Sequence, residues 1–422
     1  MLALMPADFP ASNSSDGATP PFAPGIYPGW VMVAACFVMA VFAWGVGFYG
    51  HGFFIAALRA ERGWSTGVLS SAVASFWFVG VPAALVAGRL LDRYGPRWIV
   101  LYGAVAMGGG AILVGQATEI WQVFALFMLM GSAYPGLATA SISAVLVPWF
   151  ERRLGLALGL ALTGASAGGM LLPPLLVWLS QAYGFATALA AVGLAVMALV
   201  APLALFVLRR PRDERETLGE RQRPEDQPAT AEGRGMRYFL AAPAFWRISA
   251  ASTLSLGAQV SFLMHQLPAL EHGLGLTAAA FAVSLTAGSA VAGRFVLSGL
   301  SNRVALPILA SGCYLIQAAG IVLLSLGQGP VLLYAGAALS GLSVGCIVML
   351  PPLLLSQAFG ANGYGTVYGL TNAVMFLGAS AATAVVGVLR DVMDSYGPGF
   401  ALLVGMHIAA TAVIMWRRRP SP

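Results

Sequence analysis

Residues 185–208 read FATALAAVGLAVMALVAPLALFVL, a stretch that contains no charged side chain. A helix that crosses the hydrocarbon of a bilayer needs about 20 consecutive apolar residues, and this stretch is long enough. The whole chain has the same character, since 59% of its 422 residues are hydrophobic and only 9% are charged. The composition predicts an all-α integral membrane protein, whose function must be sought in the residues that interrupt the apolar stretches.

Twelve such stretches divide six and six around a polar segment. We expect a disordered tail over residues 1–26, a six-helix half over 27–208, a flexible linker over 209–246, a second six-helix half over 247–416 and a short tail over 417–422. The linker mixes Arg, Asp and Glu with Pro, a composition that cannot bury a core. The predicted spans, numbered 1 to 12, are 30–54, 68–91, 98–117, 121–147, 155–180, 185–208, 247–270, 277–300, 304–326, 331–356, 365–389 and 398–416.

The basic residues predict the orientation. All 22 are arginines, and with both termini cytoplasmic only Arg59, Arg62 and Arg390 fall on the outer side. That bias is what the positive-inside rule requires. The net charge of +6 then lies against anionic lipid of the inner leaflet, so we expect membrane lipid and no nucleic acid as a partner.

The two halves repeat each other weakly. Parallel six-helix repeats joined by a cytoplasmic linker are typical of transporters whose substrate site lies at mid-membrane between the halves. The recurring pairs are Gly155-x-x-x-Gly159 with Gly365-x-x-x-Gly369, Gly131 with Gly341, and Gly88-Arg89 with Gly293-Arg294.

The loop after span 2, residues 88–97, places one acid among several arginines beside a turn. It resembles the signature loop Gly-x-x-x-Asp-Arg-x-Gly-Arg of the major facilitator superfamily. The resemblance implies the major facilitator fold, with twelve transmembrane helices in two six-helix halves, and a gating latch on the inner surface. The alternative is that these charges only set the topology. The matching residues are Gly88, Asp92, Arg93, Gly95 and Arg97, with Pro96 as an extra residue.

Two further stretches resemble the monocarboxylate porter family. Residues 28–31, PGWV, resemble the Gly-Gly-Trp-Gly-Trp pattern that opens its first span. Residues 149–164, WFERRLGLALGLALTG, resemble its signature at span 5. The resemblance implies transport of small carboxylates, and we expect a bacterial-type member in the cytoplasmic (inner) membrane.

Two literal motif matches are better explained by helix packing. Residues 45–50, GVGFYG, satisfy a dinucleotide pattern that has meaning only between a strand and a helix. Residues 164–168, GASAG, satisfy a serine-nucleophile pattern, but small residues at this spacing let helices approach closely. We therefore expect a protein that is not an enzyme, without a cofactor or a metal site.

Arg294 is the basic residue that we place in the substrate site. It lies about 9 Å from the inner end of span 8 at 1.5 Å per residue. An Arg at such depth is costly and usually faces a watery cavity or a partner. In the resembling family an Arg of span 8 holds the substrate carboxylate. The alternative is that Arg294 reaches the headgroups, as Arg89 does at the matching place in the first half.

Polar residues of three other spans complete the predicted site. Tyr134 of span 4, with Tyr368 and Asn372 of span 11, lies on helix faces suited to bind the remaining substrate oxygens, although ordinary interhelical bonding explains them as well. His265 of span 7 is the candidate for proton coupling, because His charges near neutral pH. A His bonded to a neighbouring helix is an equally good explanation.

The chain departs from the animal members at two positions. The animal members have an acidic residue one turn before the Arg of span 8, where this chain has Ala290. They have a Lys in span 1, where this chain has Phe48. No Asp or Glu lies in a span interior, so an acid-based proton relay is absent.

We therefore predict a secondary transporter of a small monocarboxylate or related organic anion, working by alternating access with proton assistance, and monomeric. The alternatives are an exchanger or facilitator of another small solute, a channel, and an intramembrane serine hydrolase. The substrate and the direction of transport are left open.

Overall fold

The computed structural model describes residues 27–150, 153–209, 236–300, 303–327, 329–359 and 364–416. Within these ranges the chain is helical and contains no strand, which confirms the all-α prediction. Both tails and residues 210–235 of the linker lie outside the described residues.

Each predicted span corresponds to one helix or to two helices in series. Span 1 consists of Pro28–Trp44, a π-helical turn Gly45–Tyr49 and His51–Arg62. A short helix, Met236–Ala241, precedes span 7. The other spans of the first half are Thr66–Tyr94, Pro96–Val114, Ile120–Leu137 with Thr139–Leu146, Leu154–Tyr183, and Phe185–Pro202 with the π-helical turn Leu203–Val207. Those of the second half are Pro243–Leu274, Leu276–Leu300, Leu306–Leu326, Pro330–Ile347 with Leu350–Phe359, Tyr364–Met393 and Gly397–Met415.

Eleven helices of the described chain are long and apolar enough to cross a membrane. The twelfth, span 7, has 32 residues, but buried polar side chains such as Ser252, Gln259 and His265 make it less apolar. A helix this polar needs protein around it, and these side chains are indeed enclosed in the bundle. The described chain therefore contains the twelve long helical segments that the sequence predicted.

The start of the second half differs from the prediction. Span 7 begins at Pro243, inside the stretch assigned to the linker, and Met236–Ala241 is helical as well. Phe239 is fully buried, and its ring lies 5.4 Å from that of Phe359 in span 10. An aromatic contact of this kind anchors the end of the linker to the second half, because it buries a large apolar surface.

The two halves pack together on one side of the membrane only. We call the side that carries the linker the linker side, and the other the distal side. Ser380 Oγ of span 11 donates to Ala74 O of span 2 at 2.8 Å, and the rings of Trp77 and Phe376 lie 5.4 Å apart. Span 8 meets span 5 where Ser284 Oγ donates to Met170 O at 2.7 Å. Among the described residues, every hydrogen bond between the halves lies at mid-depth or on the distal side.

On the linker side the same helices separate. A Cβ built at Gly155, Gly159 or Gly369 would meet no atom within 4 Å. These glycines lie in spans 5 and 11, whose distal parts are tightly packed. Among the described residues, the halves are therefore in contact at mid-depth and on the distal side and apart on the linker side.

Candidate functional site

The π-helical turn of span 1 lies where the two halves meet. It carries Tyr49, which is buried. A Cβ at Gly169 of span 5 would lie 2.6 Å from two atoms of the Tyr49 ring and 2.8 Å from the Cβ of Ala287 in span 8. Only glycine at 169 leaves room for this ring. Because π-helical turns are frequent at functional sites, the contact of spans 1, 5 and 8 is the starting point for the site.

Arg294 lies in span 8 about two turns beyond Ala287, towards the linker side, and is half-buried. Its side chain runs along span 10, where a Cβ at Gly345 would lie 2.8 Å from its Cγ and 3.0 Å from its Nε. The guanidinium charge acts on the Tyr49 hydroxyl and the Cys346 thiol. With the residues that the structure describes, Arg294 forms neither a hydrogen bond nor an ion pair. It is a membrane-embedded cation without an anionic partner in the described chain.

Tyr134 lies in span 4, on the first-half side of Tyr49. It is 7% exposed, and its ring packs against Trp44, Phe76 and Trp77 at centroid distances of 5.9, 5.5 and 5.8 Å. Tyr134 therefore belongs to the aromatic cluster that packs around the π-helical turn.

Asn372 and Tyr368 are half-buried on span 11. Asn372 lies one turn from Phe376 towards the linker side, and thus on the open side of the Trp77–Phe376 contact. Its side chain forms no hydrogen bond with the described residues. The substrate roles of Asn372 and Tyr368 stay predictions.

His265 is placed away from Arg294. It is fully buried, and its Nε2 lies 3.1 Å from Thr383 O in span 11, within hydrogen-bond distance. Its ring is 5.7 Å from that of Tyr396 in the distal loop before span 12. The bond to a neighbouring helix is the simpler of the two explanations that the sequence left open. The proton role stays a prediction.

The loop of the predicted latch turns at Gly95, whose φ is 76° and whose N–H donates to Leu91 O at 2.9 Å. A left-handed φ favours glycine, as the sequence indicated. The guanidinium groups of Arg93 and Arg97 lie over the rings of Tyr94 and Trp98 at 5.1 and 5.6 Å. Gly88 has open space around it. The side chain of Asp92 lies outside what the structure describes, so the latch is untested.

Tyr49 is a candidate site residue that the sequence analysis did not identify. Its signal was the glycine-rich stretch 45–50, which a nucleotide motif happens to match. The structure shows a different use of these glycines, since a Cβ at Gly47 would lie 3.0 Å from Cδ2 of Tyr134. The glycines therefore allow the large side chains of the site to pack against span 1.

The small residues of span 5 pack against the same helix. A Cβ at Gly164 would clash with the carbonyl oxygen of Phe37, and one at Gly168 with that of Val41. Ser166 between them is 2% exposed. This is the close helix approach that small residues provide in membranes, as expected for residues 164–168.

The chain is similar to several known transporters along most of its length. It is 26% identical to monocarboxylate transporter 13 of Bos taurus over 394 residues, or 92% of this chain and 88% of the relative. It is 27% identical to monocarboxylate transporter 11 of Mus musculus over 412 residues, or 93% and 88%. An MFS-type transporter of Ophiocordyceps sp. is 26% identical over 90% of this chain and 82% of its own length.

Two solved structures share the fold at low sequence identity. One is the nucleoside transporter NupG, with a TM-score of 0.73 at 12% identity, covering 91% of this chain and 99% of that one. The other is a bacterial homologue of the human lysosomal transporter Spinster in an inward-facing, unoccupied conformation, with a TM-score of 0.68 at 15% identity, covering 94% and 97%. The model of the Major Facilitator Superfamily matches residues 33–383. With the twelve-helix fold in two halves, this match shows that the chain belongs to the major facilitator superfamily.

Proposed function

We propose that this protein is a secondary transporter of a small monocarboxylate or related organic anion, and that Arg294 binds the carboxylate. The observation that carries the proposal is the half-buried guanidinium of Arg294, which has no anionic partner among the described residues. The similarity to two proteins named monocarboxylate transporters supports the same substrate class.

An anionic substrate resolves the energetic problem that Arg294 presents. Insertion scales put an Arg at the centre of a spanning helix at a cost of about 2.5–3.5 kcal/mol. A carboxylate neutralises that charge, and its two oxygens match the planar fork of a guanidinium. Gly345 leaves the space in which the guanidinium lies. Tyr49 lies within electrostatic range of Arg294. In the proposed complex its hydroxyl donates a hydrogen bond to the bound anion.

The asymmetry of the packing supports transport by alternating access. The halves are closed on the distal side and open on the linker side, and Arg294 lies towards the open side. We propose that the linker side is cytoplasmic, because 19 of the 22 arginines fall there (22 − 3). The described state is then the inward-open one, from which a substrate leaves to, or enters from, the cytoplasm.

The proposed mechanism also includes a proton that moves with the substrate. Within the span interiors of the described chain no carboxylate accompanies Arg294. A proton then travels with the substrate itself or on His265, so we propose proton-assisted transport. Exchange without a net proton is the alternative.

Binding by purified variants tests the proposal. Calorimetry with a panel of short monocarboxylates should detect binding by the wild type, weaker binding by Arg294→Lys, which keeps the charge but loses the fork, and none by Arg294→Ala. Arg303→Ala is the matched control, because Arg303 is an exposed arginine in the loop after the same span. Unchanged affinity of Arg294→Ala for a ligand that the wild type binds would refute the site assignment.

A further inference from the structure

We infer that Asp391 is a gating residue, which holds the distal side closed by capping the amino end of a helix in the other half. Asp391 lies near the distal end of span 11. Its Oδ1 accepts a hydrogen bond from the backbone N–H of Thr66 at 3.0 Å, and its Oδ2 accepts one from Gly67 at 2.6 Å. These residues form the first turn of span 2, so the contact joins the two halves.

The amino end of span 2 requires such an acceptor. The first N–H groups of a helix have no partner within it, and the helix dipole makes this end positive. The local cap, Ser65, provides only a 3.4 Å bond from Val68 N–H to its Oγ. A carboxylate that accepts two N–H groups makes charge-assisted bonds, which are stronger. The best cap of span 2 therefore belongs to the opposite half of the protein.

The surrounding packing fits this contact. A Cβ at Gly67 would lie 2.8 Å from Asp391 Oδ2 and 3.2 Å from Val388 Cα. One turn further into the membrane, Gly387 of span 11 has no room for a side chain because Ser70 of span 2 fills the space. Glycines at both levels let the two helices come together directly below the carboxylate.

Arg390, the basic residue next to Asp391, interacts with other residues. Arg390 Nη1 lies 2.7 Å from Asp394 Oδ1, and its guanidinium lies 5.5 Å from the centre of the Tyr396 ring. With the described residues Asp391 forms no ion pair. The carboxylate of Asp391 therefore bonds to span 2 and not to Arg390, which precedes it in the chain.

Opening of the distal side must break both bonds, because it separates span 2 from span 11. Removing the negative charge weakens the cap and shifts the population towards distal-open states, while the interior of each half is unaffected. Asp394→Asn is the matched control, because it removes a carboxylate three residues away, just after the helix, that is 95% exposed and pairs with Arg390 of the same half.

The experiment uses the full chain in proteoliposomes, with a single cysteine introduced as Ser70→Cys after replacement of Cys36, Cys313 and Cys346 by Ala. Ser70 is fully buried between spans 2 and 11, so a membrane-impermeant maleimide reaches position 70 only when the distal side opens. We expect Asp391→Asn to raise the labelling rate about tenfold, as the loss of charge-assisted bonds predicts, and Asp394→Asn to leave it unchanged. An equal rate in both variants overturns the inference.

Two further measurements separate gating from unfolding. Cys36 is fully buried inside the first half, so labelling of a variant that keeps only Cys36 should stay slow with Asp391→Asn. Rapid labelling there means loss of fold and decides against gating. Should Asp391→Asn not yield folded protein, Gly67→Ala displaces the carboxylate by steric contact and should also speed labelling at position 70. A slow rate in that variant overturns the inference.

Discussion

Gly341 of span 10 lies directly against the backbone carbonyl of Thr286 in span 8, so close that a side chain at 341 would clash with it. In the first half, Gly131 of span 4 stands in the same relation to Phe76 of span 2. The residues paired by the sequence repeat therefore have the same structural role, which is to bring two helices of one half into backbone contact. Crossings of this kind therefore occur at matching places in both halves.

The contact between Gly341 and Thr286 predicts the effect of adding a methyl group at position 341. Gly341→Ala should lower the free energy of unfolding by about 1–3 kcal/mol, because the added Cβ forces two backbones apart. The midpoint of thermal unfolding of purified protein in detergent measures the loss. Gly155→Ala is the control, because a Cβ there has open space. Equal midpoints for both variants would show that the contact with Thr286 is dispensable.

Tyr49→Phe tests the proposed hydrogen bond from the Tyr49 hydroxyl to the substrate. Loss of the hydroxyl should weaken substrate binding about two- to tenfold, the equivalent of one hydrogen bond, while the ring still fills the space beside Gly169. Competition binding measures the change. Tyr102→Phe is the matched variant, since its hydroxyl bonds Ser132 on an exposed face of the first half. A loss of the same size in both variants would mean that Tyr49 has no specific role.

Asp92→Asn tests the latch. The linker side is open in this structure, so pairing by Asp92 would act when that side closes. We expect slower uptake with normal expression and membrane insertion, because closing then lacks an ion pair. Initial rates in proteoliposomes, compared at equal protein content, measure the effect, and undiminished uptake contradicts the latch.

His265→Gln tests proton assistance. An inward proton gradient across the liposome membrane should stimulate uptake by the wild type and not by the variant, because Gln cannot carry a proton. Stimulation of both would show that His265 takes no part. If the wild type does not respond to the gradient, exchange or facilitated diffusion explains transport better.

Much of the fold could be predicted from the apolar stretches of the sequence. Apolar length predicts a spanning helix, because a segment that crosses hydrocarbon must be long and free of charge. The start of the second half, with its helix boundary at Pro243, could not be predicted. It is anchored by Phe239, whose burial depends on Phe359, a residue far along the chain.

The site was only partly predictable. Arg294 stands out in the sequence because a charge inside an apolar span is rare. Tyr49 does not, because its place depends on the missing side chain of Gly169 in another helix. For His265 the sequence shows a titrating group but not the bond to Thr383, since hydrogen-bond partners on other helices are set by packing.

The π-helical turn at Gly45–Tyr49 affects how span 1 should be aligned with its relatives. Such a turn holds one residue more than the α-helix that it replaces, so everything after it is rotated by about 100° relative to a regular helix. A helical projection drawn straight through span 1 therefore assigns His51–Arg62 to the wrong faces. An alignment without a gap there shifts the register by one position, so the match of Phe48 to the lysine of the animal proteins depends on where that extra residue is placed.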